Sequence, residues 1–344
     1  MPHSNALLQR FRQLFSIRPR IRVSGAARAR GPVTHLIILD GTMSSLEEGF
    51  ETNAGLTYRL ATQTADDANM IVRYEAGIQM NTWRDARDVI EGRGINKQIK
   101  RVYGALASRY HPGDRIYLMG YSRGAYAVRS LAGFIDKVGL IKAQHATEQN
   151  ITVAYRHYQT GPTLAPSQAF RAAYCHDTTP IEFLGVWDTV AAVGLQFPVI
   201  WRFSSVFHAF HDLYPPRSAK FVYHALSAHE SRGAYAPVMF ETNPDMPDQH
   251  LQQMWFRGSH GDVGGQLSGY VPARKLSNTT LVWMLDKAEM AGLVLPKGWR
   301  SRYLADPYAP SVGSRRGWGK FFLMRRKRTI GTDPSELRHP SLDA

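Results

Sequence analysis

Between residue 34 and about residue 295, short apolar runs alternate with stretches whose apolar positions recur every three or four residues. THLIILDGT (34–42) is a continuous apolar run closed by Asp40-Gly41, which predicts a buried strand followed by a turn. NMIVRYEAG (69–77) predicts a second strand. In INKQIKRVYGALASRY (95–110), Ile95, Ile99, Val102, Tyr103 and Leu106 share one helix face, and His111-Pro112-Gly113 stops the helix. RIYLMGYS (115–122) predicts a strand, and GAYAVRSLAGFIDKVG (124–139) a helix ended by Gly139. IEFLGVWDTV (181–190) and QMWFRGSH (253–260) predict further strands, HALSAHE (224–230) alternates like one, and NTTLVWMLDKAEMAG (278–292) predicts a helix ended by Gly292. Strands alternating with helices imply an α/β domain, with a mostly parallel central sheet covered by helices on both faces. No internal repeat is present.

Composition changes this picture little, but the placement of charge changes it more. The chain has 344 residues, 44% of them hydrophobic and 20% charged, enough to bury a sizeable core without cross-links. Its net charge of +14 would suggest a nucleic-acid binder if it were spread over a face. Instead, residues 1–33 carry seven arginines and no acid, and residues 315–328 carry seven cations and no acid, which accounts for the whole excess. No nucleic-acid-binding motif accompanies it. The expected organisation is therefore a basic N-terminal tail (1–33), a catalytic domain (34–299) and an irregular basic C-terminal tail (300–344). A single cysteine, Cys175, excludes an internal disulfide. No apolar run reaches membrane-spanning length, and LLQRFRQLF is too interrupted by arginine to be a secretory core. The expected location is cytoplasmic, peripheral to a membrane at most, with export left open. The Arg-rich, acid-free start also resembles an organelle transit peptide.

The chemistry centres on Gly120-Tyr121-Ser122-Arg123-Gly124, a G-x-S-x-G pentapeptide that ends a strand and opens a helix. That is the setting of the nucleophile elbow of the α/β-hydrolase fold, in which the serine sits on a tight turn above the sheet. Gly120 and Gly124 let strand and helix approach that turn, and the helix start offers positive potential to an oxyanion. A serine hydroxyl needs a base, and in this fold the acid and then the histidine follow it in the chain. Asp188, after the run FLGVW, and His260, in a glycine-rich loop, fit that order. The competing readings are a structural Gly-Ser turn, a helix-capping Asp188 and a structural histidine, with Asp262 as the alternative acid or a local partner of His260. Asp40-Gly41-Thr42 is the candidate loop for a second oxyanion donor from Thr42 or Met43, beside the Arg123 N–H; the plain alternative is an Asp-Gly turn.

Five blocks, LIILDGT, GYSRGAYAVRSLAG, FLGVWDTVAAVG, HALSAHESRGAYAP and WFRGSHGDVGG, occur in this order over residues 34–292. Together they resemble the uncharacterised α/β-hydrolase domain found in type VI secretion lipase effectors and in many bacterial and fungal proteins of unknown role. The resemblance implies a triad of Ser122, Asp188 and His260 and cleavage of a carboxylic ester of a lipid, with no cofactor. The chain departs from the family pattern at Gly264-Gly265-Gln266-Leu267, where a longer glycine run and an aromatic are usual. At this length the membrane-docking additions of the secreted effectors are expected to be missing.

Several further signals are weighed against this centre. Leu7, Leu8, Phe11, Leu14 and Phe15 could form one face of a basic amphipathic helix, and GWGKFFLMRRKR could join it on an anionic lipid surface; solvated tails are the alternative. His224, His229-Glu230 and His260-x-Asp262 contain ligand types but match no zinc signature, so no metal is expected. Cys175-His176-Asp177 reads as an ordinary loop. The segment 141–180 and the aromatic stretch 195–217 are candidates for a helical lid or an acyl pocket, or for helices packed on the core. A catalytically silent binding module and a membrane-surface scaffold remain the alternatives to an enzyme.

Overall fold

The apolar runs become the strands of one sheet. A computed structural model describes residues 21–24, 31–77, 93–190, 213–246, 250–315 and 324–344. The strands are β1 (Ile21–Ser24), β2 (Thr34–Leu39), β3 (Met70–Glu75), β4 (Arg115–Tyr121), β5 (Ile181–Trp187), β6 (Ala219–Ser227), β7 (His250–Phe256) and β8 (Glu336–Arg338). They lie in the order β1-β3-β2-β4-β5-β6-β7-β8. All neighbours are parallel except β1, which runs antiparallel to β3 at one edge. The chain goes from β2 outward to β3, then returns to add β4 on the other side of β2. In open α/β sheets such a reversal of strand order opens a crevice at the carboxyl ends of the strands.

Helices cover both faces, as the alternation predicts. On one face, α2 (Arg93–Ala107) and α3 (Arg123–Val138) bury Ile99, Val102, Leu106, Val128 and Leu131 against Ile37, Leu118 and Leu184 of the sheet. On the other, α1 (Asn53–Ala61) and α7 (Arg274–Met290) bury Leu60, Met284 and Leu285 against Leu36, Tyr117 and Phe183. Each such side chain removed from water contributes roughly 1.5–3 kcal/mol. α6 (His260–Gly264) is a single short turn on the second face. The chain has the α/β-hydrolase fold.

One pair of alternatives is decided, and two expectations change. The segment 141–180 forms α4 (Glu148–Thr160) and α5 (Ala165–Tyr174), whose Tyr155, Tyr158 and Phe170 are buried in the core of the α3 face. Phe134 of α3 meets Tyr155 edge-on and stacks on Tyr158, each at 5.4 Å between ring centres. This segment is a packed layer, because its aromatic spacing serves burial. Most of the other lid candidate, 195–217, lies outside the described residues, as do residues 1–20 with the proposed amphipathic helix. Beyond residue 299 the chain is not simply an irregular tail. It returns to the domain, adds β8 to β7, and accepts the Trp255 indole N–H on Glu336 at 2.6 Å. Nor are residues 1–33 wholly a tail, since β1 lies within them.

Candidate active site

Ser122 follows the last residue of β4 and precedes the first of α3, with φ 57° and ψ −122°. A non-glycine residue adopts that backbone only under constraint. The constraint here is close packing. A β-carbon on Gly124 would lie 2.2 Å from the Leu39 carbonyl oxygen, and one on Gly120 would lie 2.7 Å from the Gly124 carbonyl oxygen. Both glycines are therefore needed for α3 to start against the ends of β2 and β4. Gly124→Ala is expected to cost about 3 kcal/mol of stability, read from chemical denaturation. An unchanged midpoint would show that the elbow can relax. The Ser122 N–H donates to the Trp187 carbonyl at 2.9 Å, tying the elbow to the end of β5.

Asp188 is the next residue after β5 and is fully buried, with φ 42°. His260 lies four residues past β7 and opens α6, so it does not end the strand as its sequence context suggests. The turn between them re-aims the ring toward the elbow. His260 Nδ1 is 2.6 Å from Asp188 Oδ2, and His260 Nε2 is 2.9 Å from Ser122 Oγ. Since a carboxylate only accepts, Nδ1 carries the proton and Nε2 is left to accept from the serine hydroxyl. Tyr121 stacks on the imidazole and Tyr235 meets it edge-on, each with 4.8 Å between ring centres.

Burial lowers the His260 pKa, against the opposing pull of Asp188 and Glu230, so the ring is neutral at pH 7. Burial alone would raise the Asp188 pKa, but the Arg328 guanidinium and His260 outweigh it and hold the carboxyl well below the usual range. Arg328 grips Asp188 with both terminal nitrogens, at 2.5 and 3.0 Å, and donates also to the Ser227 and Tyr235 carbonyls. The Ser227 N–H completes the shell of Asp188 at 2.9 Å.

The loop after β2 runs beside the elbow. A β-carbon on Gly41 would lie 3.2 Å from Ser122 Cβ. Asp40 holds this loop by accepting from the Gly41 N–H, the Thr52 hydroxyl and the Tyr74 hydroxyl, and burial pushes its pKa up to about 6. Thr42 is buried, and its carbonyl accepts from Gln266 Nε2 at 2.9 Å. Arg123 opens α3, so its N–H is one of the donors that the helix's first turn leaves unpaired. Asp262 stays apart from the Ser-His pair. It forms a capping box with Ser259 and accepts from Ser311 and Val312, the local structural role rather than that of a second acid.

The other candidate ligands are engaged elsewhere. His224 Nε2 accepts from the Thr189 N–H, its Nδ1 faces Gln253, and burial drops its pKa to about 3. His229 accepts from the Gly258 N–H. Glu230 takes a forked pair of bonds from Arg232 and accepts the His260 N–H at 3.2 Å. Cys175 is buried, and its thiol is pushed up to about 11. Sequence reasoning missed Arg328, Glu230 and Tyr235 as neighbours of the site. Arg328 was hidden in a run of four cations, and Glu230 was visible only as a ligand type. No helix among the described residues is long and apolar enough to cross a membrane.

The model of the family described as "T6SS, Phospholipase effector Tle1-like, catalytic domain" matches residues 34–287. An uncharacterised protein of Saccharomyces cerevisiae is 26% identical over 261 residues, which is 65% of this chain and 36% of the yeast protein. Among solved structures, an uncharacterised protein from Pseudomonas aeruginosa is similar at 15% identity and a TM-score of 0.47, covering 80% of this chain and 49% of that one. The Tle1 effector bound to the VgrG spike of the type 6 secretion system is similar at 19% identity and a TM-score of 0.39, covering 68% and 51%. A thermophilic esterase of Thermogutta terrifontis with bound butyrate is similar at 12% identity and a TM-score of 0.38, covering 81% and 91%. The chain spans about a third of the length of the yeast relative and half that of the first two structures.

Proposed function

The chain belongs to the family of the Tle1-like phospholipase-effector catalytic domain of type VI secretion, and on that premise we propose that it hydrolyses a carboxylic ester of a lipid through an acyl-enzyme on Ser122. Ser122 Oγ attacks the carbonyl carbon as its proton passes to His260 Nε2. Asp188 fixes the tautomer of His260 and stabilises the imidazolium. The backbone N–H of Arg123 and one from Thr42 or Met43 receive the oxyanion. His260 then protonates the departing alcohol, and a water deprotonated by His260 cleaves the acyl ester. The observation that carries this reading is the unbroken relay of 2.9 and 2.6 Å from a serine on a constrained elbow to a buried aspartate.

The substrate expected is an ester or lipid, and no cofactor is required by these steps. Contact with an anionic membrane through the basic segments 1–33 and 315–328 is part of the proposal, with one reduction. Arg328 is engaged by Asp188 and cannot serve a membrane at the same time. The test is labelling of the native protein with a fluorophosphonate, followed by mass-spectrometric mapping of the adduct. A single adduct on Ser122 is expected. A folded protein that takes up no probe would instead favour a silent hydrolase-fold binding module.

A further inference from the structure

The loop after β2 makes a tight turn beside the nucleophile. The Ser44 N–H donates to the Gly41 carbonyl at 3.1 Å, which closes a β-turn with Thr42 and Met43 at its central positions. Met43, with φ 61°, is the turn's only residue in the left-handed region. A positive φ at the second central position alone defines a type II turn, whose middle peptide is turned over relative to the type I form. That position suits glycine, and a side chain there disfavours the turn. The Met43 side chain is half exposed. Both ends of the turn are pinned. The Gly41 N–H donates to Asp40, and the Gly77 N–H donates to the Ser44 hydroxyl at 3.1 Å. Between pinned ends, the part that can turn over is the Thr42–Met43 peptide.

Gln266 holds that peptide. Its Nε2 donates to the Thr42 carbonyl at 2.9 Å, and its Oε1 accepts from the Tyr121 hydroxyl at 3.4 Å. Tyr121 precedes the nucleophile, stacks on the His260 ring and donates also to the His260 carbonyl at 3.3 Å. These bonds fix which way round the amide lies, because the reversed amide would set its oxygen against the Thr42 carbonyl. The backbone that carries Gln266 is seated too. Gly265 is left-handed, with φ 80°, and a β-carbon there would lie 2.6 Å from the Asn53 nitrogen at the start of α1. In a trans peptide the C=O and N–H point in opposite directions. Holding the Thr42 oxygen at Gln266 therefore sends the Met43 N–H to the other side.

We propose that Gln266, by holding the Thr42 carbonyl, keeps the strained Gly41–Ser44 turn in the form that offers its N–H edge to the oxyanion on Ser122. Gln266 touches no reacting atom and acts as a positioning residue. Without it the turn relaxes toward the type I form. The Thr42 oxygen then lies where the Met43 N–H had been, and the oxyanion meets the negative end of the peptide instead of the positive one. This deepens the esterase reading and rests on it.

The experiment measures kcat and KM for p-nitrophenyl butyrate and Ki for an alkyl trifluoromethyl ketone. Ser122 Oγ adds to the ketone carbon, the hydroxyl proton passes to His260 Nε2, and the carbonyl electron pair becomes the oxyanion, so Ki reads the hole directly. The full chain is used as wild type, Gln266→Met, Met43→Gly and the double variant of these two. Gln266→Met keeps the side-chain length and removes the N–H. Its kcat is expected to fall by about 10- to 100-fold, less than for deleting a donor outright, because part of the population keeps the productive turn. KM should stay unchanged, and Ki should rise by the factor that kcat loses. Glycine adopts a positive φ at no steric cost, so adding Met43→Gly to Gln266→Met should restore most of the lost rate. A role of Gln266 in folding or in substrate binding would not be rescued there. Gln266→Ala removes the same donor and keeps the test open should Gln266→Met fail to fold. An unchanged kcat in a folded Gln266 variant overturns the proposal, and so does a loss that Met43→Gly leaves in place. A wild type that neither hydrolyses the ester nor binds the ketone fails the parent reading, and this proposal with it.

Discussion

Changing Asp188 to asparagine is expected to lower kcat for ester hydrolysis by about 10,000-fold, the loss that the corresponding change causes in a serine triad on another fold. The carboxylate accepts from His260 Nδ1 at 2.6 Å and so leaves Nε2 unprotonated toward Ser122. An asparagine can turn its NH2 toward Nδ1. The imidazole then carries its proton on Nε2, where it can no longer accept from the serine. The same change removes the negative charge that Arg328 faces. The Arg328 side chain is only 4% exposed, so its unpaired charge should cost about 3–5 kcal/mol of stability. Rates are therefore to be measured well below the melting temperature, with circular dichroism as the control. A folded Asp188→Asn protein within tenfold of wild type would remove Asp188 from the reaction.

The second large effect is expected from Arg328→Met. It should destabilise the fold by about 3–5 kcal/mol, because Asp188 would keep its burial and lose its strongest counter-charge. Its pH dependence has a defined sign. Removing a cation makes the Asp188–His260 pair bind a proton more readily, so the acid limb of the kcat/KM profile moves to higher pH. In wild type that limb lies below the ordinary histidine value of 6.5, since burial depresses His260. For folding, a depressed carboxylate pKa contributes stability above its unfolded value, near 4, which is lost as pH falls through the folded value. The difference in stability between wild type and Arg328→Met should therefore be largest where Asp188 is ionised in both proteins and shrink as falling pH protonates it, first in the variant, whose buried carboxyl has lost its main counter-charge. Paired pH–rate profiles and pH-dependent denaturation would read both. An acid limb that stays put, or moves down, would show that Arg328 does not govern the pair.

Much of this was legible in the sequence because the proposed nucleophile and acid sit where a local pattern changes. Ser122 lies at the junction of an apolar run and a three-to-four-residue period, and Asp188 is the first polar residue after a buried strand. His260 was found through its glycines, although those glycines belong to a turn and a short helix rather than to a strand end. What escaped was long-range. Periodicity reports how a segment is buried, but it does not report which cation in MRRKR crosses the fold to meet an aspartate 140 positions earlier. β8 escaped for a related reason. Glu336-Leu337-Arg338 has one apolar residue, and it is half exposed, so no alternation marks the strand.

The C-terminal segment touches the rest of the domain at successive points around the candidate site. Ser311 and Val312 hold Asp262, Arg328 holds Asp188, and Glu336 holds Trp255. The family match stops at residue 287, before any of these contacts. A fragment cut at that boundary would keep the serine, the histidine and the aspartate and yet lack the counter-ion of its own acid. In this protein the unit that can be exchanged, fused or excised is therefore longer than the unit that sequence similarity delimits.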